Sequence, residues 1–325
     1  MGHHRHHRHH RDLNRSGMKL RASTVTMAVA VAMLTVTAPA AADITVTDDF
    51  GRSVTVEKPA QRIVSLAPHI TENLFSAGAG ARVVAVVDHS DYPPAAGRIP
   101  SLGNYAQFSL EALIALKPDL VVAWRTAKSR DKLERLERLG FALFYSEPRD
   151  FEGIIANIEA FARLADTRPV IDPARLRARL AGVRARYAGA ETLTVFYQIW
   201  REPLMTLGGG HFISRVLEVC GARNLFAGGA VLAPRVNIEA VVQADPDIII
   251  GGAPDAFELW RRWPSMRAVS GRGLLTVDGD VMHRHTARML MGVGDVCESI
   301  DQVRRRRLNA AMRPANLLTP PSNDE

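Results

Sequence analysis

The phrase SLEALIALKPDLVVAW, residues 109–124, returns as NIEAVVQADPDIIIGG at residues 237–252, at a constant offset of 128. Glu111, Ala112, Pro118 and Asp119 recur as Glu239, Ala240, Pro246 and Asp247, and six further positions exchange only among Leu, Ile and Val. Each copy opens on a capping residue, Ser109 or Asn237, whose side-chain oxygen can accept a free backbone N–H. A glutamate in the first turn favours the helix dipole, and a proline stops the helix. The apolar, β-branched run that follows suits a strand buried on both faces of a parallel sheet. Each copy therefore predicts one αβ unit, and two copies predict two α/β lobes of similar build.

The flanking sequence extends the pattern. RIVSL and RVVAVV read as strands around the helix ITENLFSAGAG, and LERLERLGFALFY reads as helix, Gly140, strand. In the second half LTVFYQIW is a strand, FISRVLEVCGA a helix ending at Gly221, and GLLTV another strand. Between the halves lie two helical segments. In the second, Asp172 caps, Pro173 takes the first helical position, and Leu176, Leu180, Val183 and Tyr187 form one stripe. The expected architecture is α/β: two Rossmann-like lobes with parallel sheets, joined by one long helix, with a ligand cleft between them. The expected boundaries are 43–169 for the first lobe, 170–190 for the joining helix, 191–305 for the second lobe and 306–325 for a loose tail.

The chain has 325 residues, enough for two cores, and a formal charge of +7 from 41 basic and 34 acidic side chains. The excess sits at the start: six Lys/Arg and one acid lie within residues 1–42, so the remainder carries 35 basic against 33 acidic groups. A nearly neutral body argues against a nucleic-acid partner. From Met18, Lys19 and Arg21 precede an apolar run and Ala40-Ala41-Ala42, the layout of a cleaved secretory signal with its cut at Ala42/Asp43. The expected product is a periplasmic protein. HHRHHRHHR ahead of Met18 reads as an upstream mis-start or a cloning scar rather than a metal site. Two cysteines, Cys220 and Cys297, are expected to pair in an oxidising compartment. The bridge would close a loop of roughly 78 residues, worth on the order of 4 kcal/mol in the chain-entropy model. No zinc pattern is present.

Open α/β sheets bind ligands beyond the carboxyl ends of their strands, so residues at those ends are the candidate site. Trp124 ends the first repeated strand, Tyr92 and Tyr105 follow loops of the same half, and Trp200 and Met205 follow VFYQI in the second. Aromatic faces suit a broad, flat, largely apolar ligand with amide edges. Pro68 and His69 lie in the turn of LAPHITE. His69, His283 and His285 read as hydrogen-bonded histidines beside the cleft, with metal ligation the less favoured reading. Arg125, Arg201 and Arg284 are the basic candidates. GGG at 208–210 reads as a flexible turn, since no G-x-x-x-x-G-K-[ST] phosphate loop is present. With no nucleophile elbow or H-E-x-x-H motif, an enzyme is not expected.

RIVSLAPHITE, SDYPP, SLEALIALKPDLVVAW, FYQIWREPLMTLGGGHFI and VLEVCGARNLF together resemble the periplasmic cobalamin-binding proteins, within the helical-backbone class of periplasmic binding proteins. The resemblance runs from about Arg62 to Val303. It implies a monomeric, non-catalytic carrier without a cofactor of its own. Such a carrier takes cobalamin in the cleft and delivers it to the permease and ATPase of an inner-membrane ABC importer. It implies a disulfide in the second lobe, aromatic contacts from Tyr92, Tyr105 and Trp124, and polar contacts from Asp280 and Arg284. Two departures stand out. Ala233 replaces a family tryptophan, with Trp200 as the expected compensation. Arg130 stands where an acidic docking residue belongs, which leaves Asp131 and Glu258 as the docking candidates. The alternatives on the same scaffold are a haem carrier, with Tyr92, Tyr105 or His69 as axial ligand, and a ferric-siderophore carrier.

Overall fold

A computed structural model of the protein describes residues 42–229 and 231–313. The segment expected to act as a secretory signal, the histidine-rich start and the last residues of the expected tail lie outside the described residues.

The first half opens with a hairpin, β1 (Ile44–Thr47) and β2 (Ser53–Val56), paired antiparallel. The Asp48 carboxylate holds its turn by accepting the Phe50 and Arg52 N–H groups at 3.0 and 2.9 Å. Sequence patterning had not indicated this hairpin. It buries Val46, Val54 and Val56 in the main core.

The first sheet contains β3 (Ile63–Ser65), β4 (Val83–Ala85), β5 (Leu120–Ala123) and β6 (Leu143–Tyr145). Their order is β4-β3-β5-β6, all parallel. Helices α1 (Pro68–Ser76), α2 (Leu110–Ala115) and α3 (Arg130–Arg138) connect them. The chain passes to the second half through α4 (Phe151–Ala165) and α5 (Pro173–Tyr187). The second sheet contains β7 (Leu193–Tyr197), β8 (Ala222–Asn224), β9 (Ile248–Gly251) and β10 (Leu274–Thr276), ordered β10-β9-β7-β8 and again all parallel. Its helices are α6 (Phe212–Val219), α7 (Ile238–Ala244), α8 (Arg267–Ser270), α9 (Gly279–Met282) and α10 (Ala287–Ala311).

Counted in chain order, both sheets read second, first, third, fourth. The repeated phrase forms α2–β5 in one and α7–β9 in the other, so the repetition in sequence is a repetition of topology. The match extends to backbone detail. Ser109 Oγ accepts the Ala112 N–H and Asn237 Oδ1 accepts the Ala240 N–H. Lys117 and Asp245, 128 residues apart, both take a left-handed conformation, at φ 49° and 48°. The repeated aspartates then do the same work. Asp119 accepts the N–H groups of Gln61 and Arg62 at the start of β3, at 2.7 and 2.9 Å. Asp247 accepts the Thr194 N–H of β7 at 2.9 Å. Each Pro-Asp pair anchors its strand to the first strand of its own sheet.

One apolar core spans both halves. It runs from Ile63 and Leu120 through α1, α4, α5 and α10 to Leu193 and Ile248. As the sequence stripe predicts, α5 buries Leu176, Leu180 and Tyr187, with Asp172 capping through the Ala174 N–H at 2.8 Å. The C-terminal helix differs from expectation. It runs to Ala311, past the position where a loose tail was expected to begin, because Arg304 is buried beneath it. Its guanidinium donates to the carbonyls of Glu191 and Cys220, at 2.8 and 2.9 Å. Cys220 and Cys297 are joined by a disulfide that ties the end of α6 to α10.

Candidate functional site

At the carboxyl ends of the parallel strands the two lobes enclose a cavity of about 650 Å³. Its first-lobe wall comes from the segments after β3 (Pro68, His69), β5 (Trp124) and β6 (Glu147, Pro148, Arg149). Its second-lobe wall comes from the start of α6 (Gly210, His211, Phe212, Arg215), from Leu232, and from the loop between α9 and α10 (His283, Arg284, His285). The location is the one expected of parallel α/β sheets, where strand ends leave side chains and helix starts free to face a ligand.

The turn from β3 into α1 is rigid. Ala67 is extended, as the residue before a proline must be, and Pro68 starts the helix. Beneath it Ser65 Oγ and Thr71 Oγ1 are 2.7 Å apart, and Thr71 Oγ1 donates to Ser90 Oγ at 3.1 Å. His69 therefore enters the cavity from a fixed base. Its ring meets Trp124 edge-on at 6.3 Å, and Tyr105 lies against Trp124 at 5.1 Å. The three rings form one aromatic cluster, of which His69 and Trp124 line the cavity and Tyr105 does not.

A buried chain of hydrogen bonds sets the His69 tautomer. Asn157 Nδ2 donates to the Asp49 carboxylate at 2.8 and 3.0 Å, which turns Oδ1 toward Ser146. Ser146 Oγ donates to that oxygen. His69 Nε2, 3.2 Å from Ser146 Oγ, must then be the donor. Ser146 and His69 thus touch with the wrong polarity for a nucleophile and its base, since a base would have to take the serine proton.

The second lobe is built with equal economy of freedom. Gly208 and Gly209 are glycines because a Cβ at either would collide with the carbonyl of Val231 or Ala227. Close backbone packing accounts for Gly208 and Gly209, while Gly210 lines the cavity. His211 caps α6, its Nδ1 accepting the Ile213 N–H at 3.2 Å. His285 lies on Phe212 at 4.5 Å and donates from Nδ1 to the Pro148 carbonyl of the opposite lobe at 3.1 Å. His283 Nε2 pairs with the Tyr197 hydroxyl at 2.9 Å. Burial depresses these rings. His69 is lowered to about 3 by desolvation and by the nearby His285. His211 and His285 are each lowered to about 4, chiefly by burial. The cavity therefore presents neutral imidazoles at neutral pH.

Arg284 works across the lobes. It reaches Glu72 at 3.1 Å, Asp91 at 2.7 Å and the His89 carbonyl at 3.3 Å, while Asp280 stands 3.8 Å off. Arg288 bonds the same Glu72, which is 3% exposed.

The other expected residues divide. Tyr92 lines a separate apolar cavity beside α1 and α10, with Arg288 over its ring at 3.8 Å. Arg125 lies on Phe50 at 4.2 Å and Tyr145 at 5.4 Å and is not among the residues that line the inter-lobe cavity. Trp200 is 61% exposed at a small hairpin it shares with Met205, its indole N–H bonded to the Glu202 carbonyl at 2.8 Å, and neither residue lines the cavity. Glu258 pairs with Arg201 at 3.5 Å, and Asp131 is exposed in the first turn of α3. Sequence reasoning missed Glu147, Pro148, Arg149, His211, Phe212, Arg215 and Leu232. The first three follow β6 just as Trp124 follows β5, and the same strand-end rule would have found them. Among the described residues no cluster of three His, Cys, Asp or Glu side chains is arranged to hold a free metal ion.

The model of the family described as periplasmic binding protein matches residues 63–270, more than half of the chain. The chain belongs to the periplasmic binding protein family. It is 35% identical over 254 residues to the vitamin B12-binding protein of Vibrio campbellii, covering 77% of this chain and 92% of that one. The crystal structure of the periplasmic vitamin B12-binding protein BtuF of Vibrio cholerae superposes with a TM-score of 0.68 at 34% identity, covering 76% of this chain and 99% of that one. The periplasmic haem-binding protein RhuT from Roseiflexus sp. RS-1 shares the fold, with a TM-score of 0.65 at 21% identity over 75% of this chain and 99% of that one.

Proposed function

We propose that this periplasmic binding protein captures cobalamin between its lobes and hands it, unaltered, to an inner-membrane ABC importer. The observation that carries the reading is a cavity shared by both lobes and lined by Trp124 and His69, with Tyr105 packed on Trp124. A corrin is broad, apolar on its faces and edged with amides. Stacked aromatic rings suit its faces, and neutral imidazoles suit its amide edges as donors and acceptors. The family relationship, with relatives named for vitamin B12 at about one-third identity, supports the same ligand. Arg149 and Arg215 bring positive charge to the cavity lining, and the phosphate of a cobalamin nucleotide loop is the natural counterpart.

The reading includes export through the signal ending at Ala42, action as a monomer, and docking on the importer through exposed acidic groups such as Asp131 and Glu258. It supplies no catalysis. The inverted Ser146–His69 pair supports that side of it, because this serine–histidine contact at the cleft lacks the polarity of an activated nucleophile.

Calorimetric titration of the purified protein with cyanocobalamin, cobinamide and haemin tests the proposal. Saturable 1:1 binding of cyanocobalamin, tighter than that of haemin, is the expected result. Haemin binding without corrinoid binding would replace the cobalamin reading with the haem one.

A further inference from the structure

The cobalamin-carrier reading leaves four imidazoles in one cavity, and hydrogen bonding gives them different capacities. His211 Nδ1 accepts the Ile213 N–H, so its neutral ring carries its proton on Nε2 and acts as a donor. His283 is engaged with the Tyr197 hydroxyl through Nε2. His69 donates from Nε2 and keeps a lone pair only on Nδ1, the nitrogen beside its own backbone. His285 is the reverse case. A backbone carbonyl can only accept, so the contact with Pro148 puts the proton on Nδ1 and the lone pair on Nε2, at the far tip of the ring.

From this arrangement we infer that His285 ligates, through Nε2, the metal centre of the bound corrinoid when that metal carries a weakly held axial ligand; the inference rests on the cobalamin-carrier reading above. An Nδ1–H bonded to a carbonyl is the arrangement that orients metal-ligating histidines and raises their basicity. The ring is also held in place. It rests on Phe212 with centroids 4.5 Å apart, and its own carbonyl accepts from Asn73 Nδ2 of the first lobe at 3.0 Å. No three-ligand site for a bare ion exists among the described residues. One imidazole is nevertheless sufficient for a metal that arrives with four equatorial nitrogens of its own. The exchange balances simply. The bond from cobalt to an axial water breaks, the water leaves with its electron pair, and the Nε2 pair forms the new bond. Cobalt keeps its oxidation state and no proton moves. A tightly held axial cyanide does not exchange in this way, so the site would distinguish aquocobalamin from cyanocobalamin.

Absorption spectroscopy provides the test, with aquocobalamin and cyanocobalamin as probes and aquocobalamin in free imidazole as the reference spectrum. Bound aquocobalamin is expected to take on the spectrum of the imidazole adduct at one equivalent of protein. His285→Ala should return the bound spectrum to the aquo form. It should also weaken aquocobalamin binding at least tenfold more than cyanocobalamin binding. His285→Gln, which keeps an N–H for the Pro148 carbonyl, should behave alike. If both cobalamins bind and the aquocobalamin spectrum stays unchanged, ligation is wrong while the carrier reading stands. An adduct spectrum that survives in both variants also overturns the assignment to His285. If neither cobalamin binds, the carrier reading itself fails and this inference with it. The wild-type spectrum decides the first of these outcomes without any variant having to fold.

Discussion

At the scale of single residues, the site depends on side chains whose freedom has been removed. Trp124 touches both Tyr105 and His69, so its ring is pre-placed and binding need not order it. Trp124→Ala is expected to weaken cobalamin binding by about 1–3 kcal/mol through lost stacking and contact area. An unchanged midpoint in a fluorescence titration would return the residue to a purely structural role. The histidines carry a pH signature of their own. His69 and His211 stay neutral in the folded protein down to about 3 and about 4, whereas an unfolded chain protonates them near 6.5. Between those values the unfolded state binds more protons. Stability is therefore complete above about pH 6.5 and declines as the pH falls towards 4, by up to about 3 kcal/mol per ring. Urea denaturation at a series of pH values should show this slope, and His69→Gln should flatten part of it. Equal midpoints at pH 7.5 and 4.5 would contradict the burial of neutral rings.

At the scale of elements, the repeated Pro-Asp pair is the device that joins strands into sheets. Asp119 accepts two backbone N–H groups, and Asp247 one together with the Thr194 hydroxyl, in place of ladder bonds that the start of a short strand cannot make. Asp119 serves β3 from an accessible edge, whereas Asp247 is 5% exposed and also meets Arg307 at 2.9 Å. Asp119→Ala should cost about 1–2 kcal/mol, and Asp247→Ala clearly more, because the latter strands a guanidinium as well as an N–H. Chemical denaturation of the two variants gives the ranking directly. A larger loss at Asp119 would show that the two copies do not perform the same task.

At the scale of the whole molecule, one fastening joins the lobes and a second braces the helices of the second lobe. One is ionic: Glu72 of α1, buried, binds both Arg284 and Arg288 from the far side of the cleft. Removing the Glu72 charge leaves Arg288 without its carboxylate and Arg284 with only Asp91 and the more distant Asp280. Glu72→Gln is expected to cost about 3 kcal/mol and to raise the radius of gyration measured by small-angle scattering, as the seam loosens. Unaltered scattering and stability would assign closure to the apolar core alone. The other fastening is covalent. Cys220 and Cys297 are 77 residues apart in sequence, and their bridge shortens the unfolded chain's list of conformations. Cys220→Ala should lower stability by up to about 4 kcal/mol while sparing cobalamin affinity, since the bridge lies outside the cavity lining. Equal melting temperatures with and without reductant would deny it that role.

The amino-acid sequence by itself determined the two sheets, their parallel strands, the caps of α2, α5 and α7, and the placing of Trp124 at a strand end. These are local matters: periodicity, capping chemistry and proline stops act within a dozen residues, and the 128-residue repeat states them twice. It did not reveal the β1–β2 hairpin or the final turns of α10, whose stability comes from distant partners such as Tyr145 N–H on Asp48 and the Glu191 and Cys220 carbonyls on Arg304. Nor did it show that His285 would meet Pro148, 137 positions earlier, or that Arg125 would turn to Phe50. Side-chain direction and tautomer are set by whatever stands opposite in space. Only the folding of one lobe against the other decides that, because burial and hydrogen-bond partners are properties of the assembled cavity and of no single segment.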